Sequence, residues 1–216
     1  MSTIFWLPSS GAAPVSPVPA VAFWDGHVNN VSRILNSERA NTALATLAYA
    51  PDAADHITDV DSMIAQFVSP VLPPQTVPAQ VLGIGIRWLE SNALNNLKMS
   101  MKIYAVDVPG TTELNTLYSG SQVGLEFAVG LTCEWRNPTT TARVFAVPWR
   151  LVLEVGGGGL PTAGGGRHNF SASFGDPMSS TGMLTSLTTN IGAPCLAFQY
   201  TLKCAGVPRS RVQGGM

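Results

Sequence analysis

Beyond Pro78 the chain alternates apolar with polar residues over several short stretches. Successive side chains on a strand point to opposite faces, so this alternation predicts half-buried β-strands. Leu82, Ile84, Ile86 and Trp88 share one face, and Leu97, Met99, Met101 and Ile103 alternate with Lys98, Ser100 and Lys102. Trp149, Leu151, Leu153 and Val155 alternate with Arg150 and Glu154, and His168, Phe170, Ala172 and Phe174 stand opposite Asn169, Ser171 and Ser173. Leu196, Phe198, Tyr200 and Leu202 close the series. Leu125 to Trp135 and Arg143 to Val147 read as two more strands, separated by the turn-forming Asn137-Pro138. Strands joined by loops, with no helical pattern between them, predict an all-β fold: an antiparallel β-sandwich or jelly roll.

The N-terminal part carries a different signal. Pro8, Pro14, Pro17 and Pro19 stand among Ala, Val and aromatic residues in the first 25 positions. Proline has no amide donor and a fixed φ, which excludes a central strand or a regular helix. We read residues 1–25 as an extended arm and residues 26–216 as a single β-sandwich, jelly-roll-like domain. The arm holds Phe5, Trp6, Leu7, Phe23 and Trp24, too apolar to be left in water. It should dock on its own domain or on a neighbouring subunit, and these five residues are the candidate interface. Val28 to Ala50 has mixed spacing and predicts no definite element. Ser62 to Val68 predicts a short strand that ends at Pro70 and Pro73-Pro74. Gly156 to Gly159 and Gly164 to Gly166, with Pro161 between them, predict a mobile, hairpin-like flap.

Composition narrows the function classes. Hydrophobic residues make up 45% of the 216 positions and charged residues 12%, against about 25% charged in typical soluble domains. Ser, Thr, Asn, Gln and Gly fill the polar positions, which predicts a neutral surface partly buried against neighbours. A net charge of −1 and a pI near 6.3 give no electrostatic footprint for phosphate, so nucleic acid is not an expected partner. Apolar runs are broken by Gly or Pro well short of the roughly 18 residues of a membrane span, and no Lys or Arg precedes Arg33 to form a signal-peptide n-region. No membrane partner is expected, and the chain reads as soluble, made in a cytoplasm and not secreted by a signal.

Candidate chemistry is sparse. Cys133, Cys195 and Cys204 have no metal-ligand spacing, although Cys195 and Cys204 could pair if strand ends met. His27, His56 and His168 form no His-Glu-x-x-His motif. Asp52, Asp55, Asp59 and Asp61 crowd one loop and could offer oxygen ligands to a hard cation such as Ca²⁺. The full Asp-x-Asp-x-Asp-Gly pattern is missing, and a solvated acidic loop is the simpler reading. The glycine-rich stretch precedes Arg167 and a strand pattern, whereas a phosphate loop needs Gly-Lys-Ser/Thr opening a helix. No nucleophile elbow is present, so no enzyme, cofactor or catalytic residue is expected. Trp88 and Trp149 fall on core faces, which leaves Trp135, beside Arg136 at a turn, as the freer aromatic for stacking a sugar.

Three stretches resemble a family of small structural proteins of tailed-bacteriophage virions. They are Ser2-Thr3-Ile4-Phe5-Trp6-Leu7-Pro8-Ser9-Ser10-Gly11-Ala12-Ala13-Pro14; Gly83 to Ala93, with Arg87-Trp88-Leu89-Glu90-Ser91-Asn92-Ala93; and Arg150-Leu151-Val152-Leu153-Glu154-Val155-Gly156 followed by Phe174-Gly175-Asp176. The glycine flap and the tail after Leu202 depart from that pattern. The resemblance implies a β-sandwich or jelly-roll part of a phage particle, located in the virion and made in the host cytoplasm. It implies a head decoration (cement) protein, or else a tail, neck or baseplate component. Its partners would be other copies of itself and other virion proteins, such as the major capsid or tail proteins. It supplies no catalytic, cofactor-binding or metal-binding residues. A carbohydrate-binding jelly-roll module is the alternative from another class.

Overall fold

A computed structural model describes residues 3–26, 28–37, 42–49, 60–90, 96–127, 132–159, 170–176 and 194–204. Its strands, in chain order, are β1 (Thr3–Trp6), β2 (Ser32–Ile34), β3 (Thr42–Tyr49), β4 (Val60–Val68), β5 (Gln75–Val77), β6 (Gln80–Glu90) and β7 (Lys98–Val106). There follow β8 (Glu113–Glu126), β9 (Thr132–Arg136), β10 (Thr139–Thr140), β11 (Arg143–Phe145), β12 (Arg150–Gly159), β13 (Phe170–Asp176) and β14 (Cys195–Phe198). No helix is among the described residues.

The antiparallel pairs are nested. β7 pairs with β8, β6 with β9, β4 with β12 and β3 with β13, as though one long hairpin had been folded back along its length. Further pairing of β12 with β7 and of β13 with β6 gathers these strands into two sheets. One runs β4-β12-β7-β8, and the other runs β3-β13-β6-β9. This is the two-sheet jelly roll that the alternation predicted. Smaller pieces extend it: β2 lies parallel to β4, β14 continues the line of β13 along β6, and β1 pairs outside β14. β10 continues the register of β9 along β6, so the chain does not turn at Asn137-Pro138. Leu82 N still donates to Pro138 O at 2.8 Å, and only the bond for which proline has no N–H is missing.

The inward faces are those the alternation assigned. Leu82, Ile84, Ile86 and Trp88 of β6, Met99, Met101 and Ile103 of β7, and Leu151, Leu153 and Val155 of β12 are fully buried. Phe67 meets Phe174 across the sandwich with ring centroids 5.0 Å apart, while Phe127 stacks on Trp88 at 4.5 Å and Phe145 on Trp149 at 4.0 Å. Tyr200 departs from the pattern: β14 ends at Phe198 and the Tyr200 ring is exposed.

One expectation is corrected by the packing. Gly156 to Gly159 are no flap; they form the end of β12, a central strand paired with β4 on one side and, through Gly158, with β7 on the other. Gly164 to Gly166 lie outside the described residues. The N-terminal segment lies on the chain's own fold. Its start, β1, is a strand of the larger sheet, and Phe5, Leu7 and Trp24 are buried within the chain's own fold. The remainder wraps the sandwich as a strap. Gly11 O accepts from Ile34 N at 3.2 Å, and Ala13 and Val15 cover Val68, Tyr104, Val106 and Val152 on the outward face of the smaller sheet.

Candidate functional site

The strap covers a polar patch on the outward face of the smaller sheet. Register places Gln66 of β4 and Lys102 of β7 on either side of Glu154 of β12. Such a face of an antiparallel sheet is ordinarily solvated, yet Glu154 is fully buried because residues 17–24 lie over it. Its carboxylate accepts from the Trp24 indole Nε1 at 2.7 Å, Tyr104 Oη at 2.6 Å, Gln66 Nε2 at 3.0 Å and the Ala20 backbone N at 3.2 Å. Lys102 does not neutralise it; its Nζ bonds Glu113 instead, at 2.7 Å, and sits over the Tyr104 ring. Among the described residues the carboxylate is therefore held by neutral donors, an arrangement that requires full hydrogen bonding to be tolerated. Burial, and next the adjacent Glu154 charge, push the Tyr104 phenol well above its ordinary pKa, so it stays a donor.

Gly156 explains how the strap fits. It lies two residues beyond Glu154 on the same face, and a Cβ there would collide with the Ser62 carbonyl and the Trp24 ring. The absence of a side chain leaves room for the indole beside β12 while its N–H reaches Glu154. Farther along, the Asp61 carboxylate accepts from Ser100 and Ser121 hydroxyls, and the Asp61 backbone N donates to Asp25 Oδ1 at 2.6 Å, fastening the end of the strap. A groove of about 300 Å³ remains beside it, bounded by Ser16 to Pro19, Asn29 to Ser32, Met63 and Gln66.

The candidate interface residues thus divide. Phe5, Leu7 and Trp24 are buried within this chain. Trp6 is half-buried, its backbone N donating to Asn36 O at 2.7 Å, and Phe23 is half-buried edge-on against Trp24. Free energy of the kind expected from an interface is realised within one chain. Of the acidic loop, Asp52, Asp55 and Asp59 lie outside the described residues, and Asp61 belongs to β4. His27, His56 and His168 also lie outside them. Cys195 is buried and Cys204 half-buried, and the two are not joined to each other. Trp88 and Trp149 are fully buried and cannot stack a sugar; the Trp135 side chain lies outside the described residues.

Sequence reasoning missed a third buried carboxylate. Glu90 ends β6 and is 1% exposed, and among the described residues neither its oxygens nor the nearby Trp88 indole Nε1 meets a partner in full hydrogen-bonding geometry. Burial, and next the Glu126 charge, raise its pKa to about 7, offset in part by the Leu97 backbone. A carboxyl whose pKa is higher folded than unfolded contributes stability that is complete below the unfolded value of 4.5 and is lost as pH rises through about 7. Glu90→Gln, which imitates the protonated form, is expected to stabilise the protein at pH 8 by about 1–2 kcal/mol after allowance for screening. The gain should fade towards pH 4.5. Urea midpoints of both proteins across that range check it.

The described parts thus define an eight-stranded jelly roll, six further short strands (β1, β2, β5, β10, β11 and β14) and a strap. No protein-family model matches the chain, and no curated protein matches its sequence. Among solved structures it is similar to "Structure of infectious bursal disease virus Gt strain", at 9% identity and a TM-score of 0.35, over 76% of this chain and 37% of that one. It is similar also to the infectious bursal disease virus VP2 subviral particle, at 11% identity and a TM-score of 0.30, over 74% and 38%. A CocE/NonD family hydrolase from Staphylococcus aureus aligns at 10% identity and a TM-score of 0.31, over 91% and 34%. This chain spans little more than a third of each of those structures, and likeness at this distance assigns no function.

Proposed function

We propose that this chain is a structural component of a tailed-phage virion, a capsid decoration protein that stabilises the particle through subunit–subunit contacts and carries no reaction of its own. The observation that supports the reading best is the division of its polarity. The buried polar groups around Glu154 and Asp61 are engaged in fastening the strap, while the surface displays Val18, Val21, Val144, Val147 and Tyr200. Each apolar side chain moved from water into an interface contributes on the order of 1.5–3 kcal/mol, less the freedom lost on ordering it. A surface poor in charge presents little repulsion to close packing. The stretches that resemble phage structural proteins supply β1 and the start of the strap, much of β6 and most of β12, the scaffold of the jelly roll.

The partners are other copies of the chain and other virion proteins. Immunogold microscopy of particles from its source, with antibody to the recombinant chain, separates the positions in a virion. Gold over heads is expected. Gold confined to necks or tails would reassign the protein to that part, and particles without gold would contradict the proposal.

A further inference from the structure

The sheet edges are not alike. β8 is broken by register shifts in four places along β7 and carries Glu113 and Glu126, and β2 is only three residues long. Bulges, charges and shortness are the devices by which edges avoid pairing with other chains. β3, the outermost strand on its side of the larger sheet, is neither charged nor short. Its eight residues, Thr-Ala-Leu-Ala-Thr-Leu-Ala-Tyr, include no charge, proline or glycine. Its one register shift lies at the far end, opposite Gly175. Ala43, Leu44, Thr46 and Ala48 are exposed, and Leu44 keeps 41% of its surface in water. Among the described residues no strand pairs with its outer edge.

We propose that β3 is a self-pairing edge, through which a second copy of this chain joins by antiparallel pairing to make one continuous sheet across a two-fold axis. The proposal deepens the assembly reading above and rests on it. A second copy is the occupant that fits, because an uncharged strand meets its own image without repulsion and a two-fold contact must be self-complementary. An axis normal to the sheet keeps outward residues outward, so positions of like parity must face each other. Centred on Thr46, it sets Thr46 opposite Thr46 and Leu44 opposite Ala48, with Ala45 opposite Leu47 on the inner side. The backbone N–H and C=O groups of the edge then gain partners, while the threonines and the Leu–Ala pairs supply side-chain contact.

Two double variants test it on the full chain: Leu44→Lys with Ala48→Lys, and Leu44→Glu with Ala48→Glu. In the proposed register each variant sets like charges opposite each other. The mass by light scattering is expected to fall at least two-fold for either variant alone and to return to the wild-type value in an equimolar mixture. Circular dichroism reports the fold of each. In the unmodified chain, amide exchange at residues 43–48 is expected to slow at least ten-fold with assembly. Variants that keep the wild-type mass, a mixture that fails to recover it, or β3 amides that exchange equally at all concentrations would overturn the proposal. In the first two cases, gold over virions would still uphold the structural role.

Discussion

Gly156→Ala is expected to destabilise the protein by about 4 kcal/mol or more, among the largest effects a single methyl can have. The added Cβ would meet the Ser62 carbonyl, a backbone atom already held in the β4–β12 ladder, and the Trp24 ring on the other side. Neither can withdraw cheaply, since moving Ser62 parts two strands and moving Trp24 releases the indole from Glu154. For a domain of this size the midpoint of thermal unfolding should fall by about 10 °C or more. Gly157→Ala is the internal control, because the atoms near its Cβ are the Phe127 and Phe170 rings at 3.2 Å. Rings can shift slightly, and about 1–2 kcal/mol is expected there. Calorimetry of both variants, if it showed equal losses, would contradict the account of why glycine ends a central strand.

Glu154→Ala should lower stability by about 3–5 kcal/mol, the range for breaking a buried, hydrogen-bonded charged group. The carboxylate joins four donors from the strap, β4 and β7, so its loss leaves the Trp24 indole, the Tyr104 hydroxyl, the Gln66 amide and the Ala20 N–H short of an acceptor. Glu154→Gln keeps an acceptor oxygen and is expected to lose less. Because Trp24 is buried only while the strap is in place, its fluorescence should shift to the red in Glu154→Ala before the sheets unfold. A denaturant titration followed by fluorescence and by circular dichroism should then give two midpoints for the variant and one for the parent.

The jelly roll was legible where strands are half-buried and regular. β6, β7, β12 and β13 alternate strictly over much of their length, and their faces came out as read. β8 was not legible over Glu113 to Gly124, because register shifts opposite Met99, Met101, Tyr104 and Val106 interrupt the period-two pattern on an edge strand. The glycines of β12 misled for a related reason: composition marks glycine as a breaker, whereas here it answers a close approach of Trp24 and Ser62 that only the fold creates. In the strap, prolines correctly excluded a helix, and the aromatic residues correctly demanded burial. Which surface would bury them depended on Glu154, whose alternation with Leu153 and Val155 had marked it simply as a solvent-facing strand position. Glu90 escaped notice because its burial and the nearness of Glu126 arise only when the fold brings the ends of β6 and β8 together.

The central claim is that this jelly roll works by associating with its own kind and with neighbouring proteins of a particle. Light scattering behind a sizing column, on the full-length chain over a hundred-fold range of concentration, tests it most directly. A species of defined mass at a small multiple of 22.7 kDa, or a larger closed particle, is the expected result. A mass that stays at 22.7 kDa throughout would contradict self-association and remove the basis for pairing at β3.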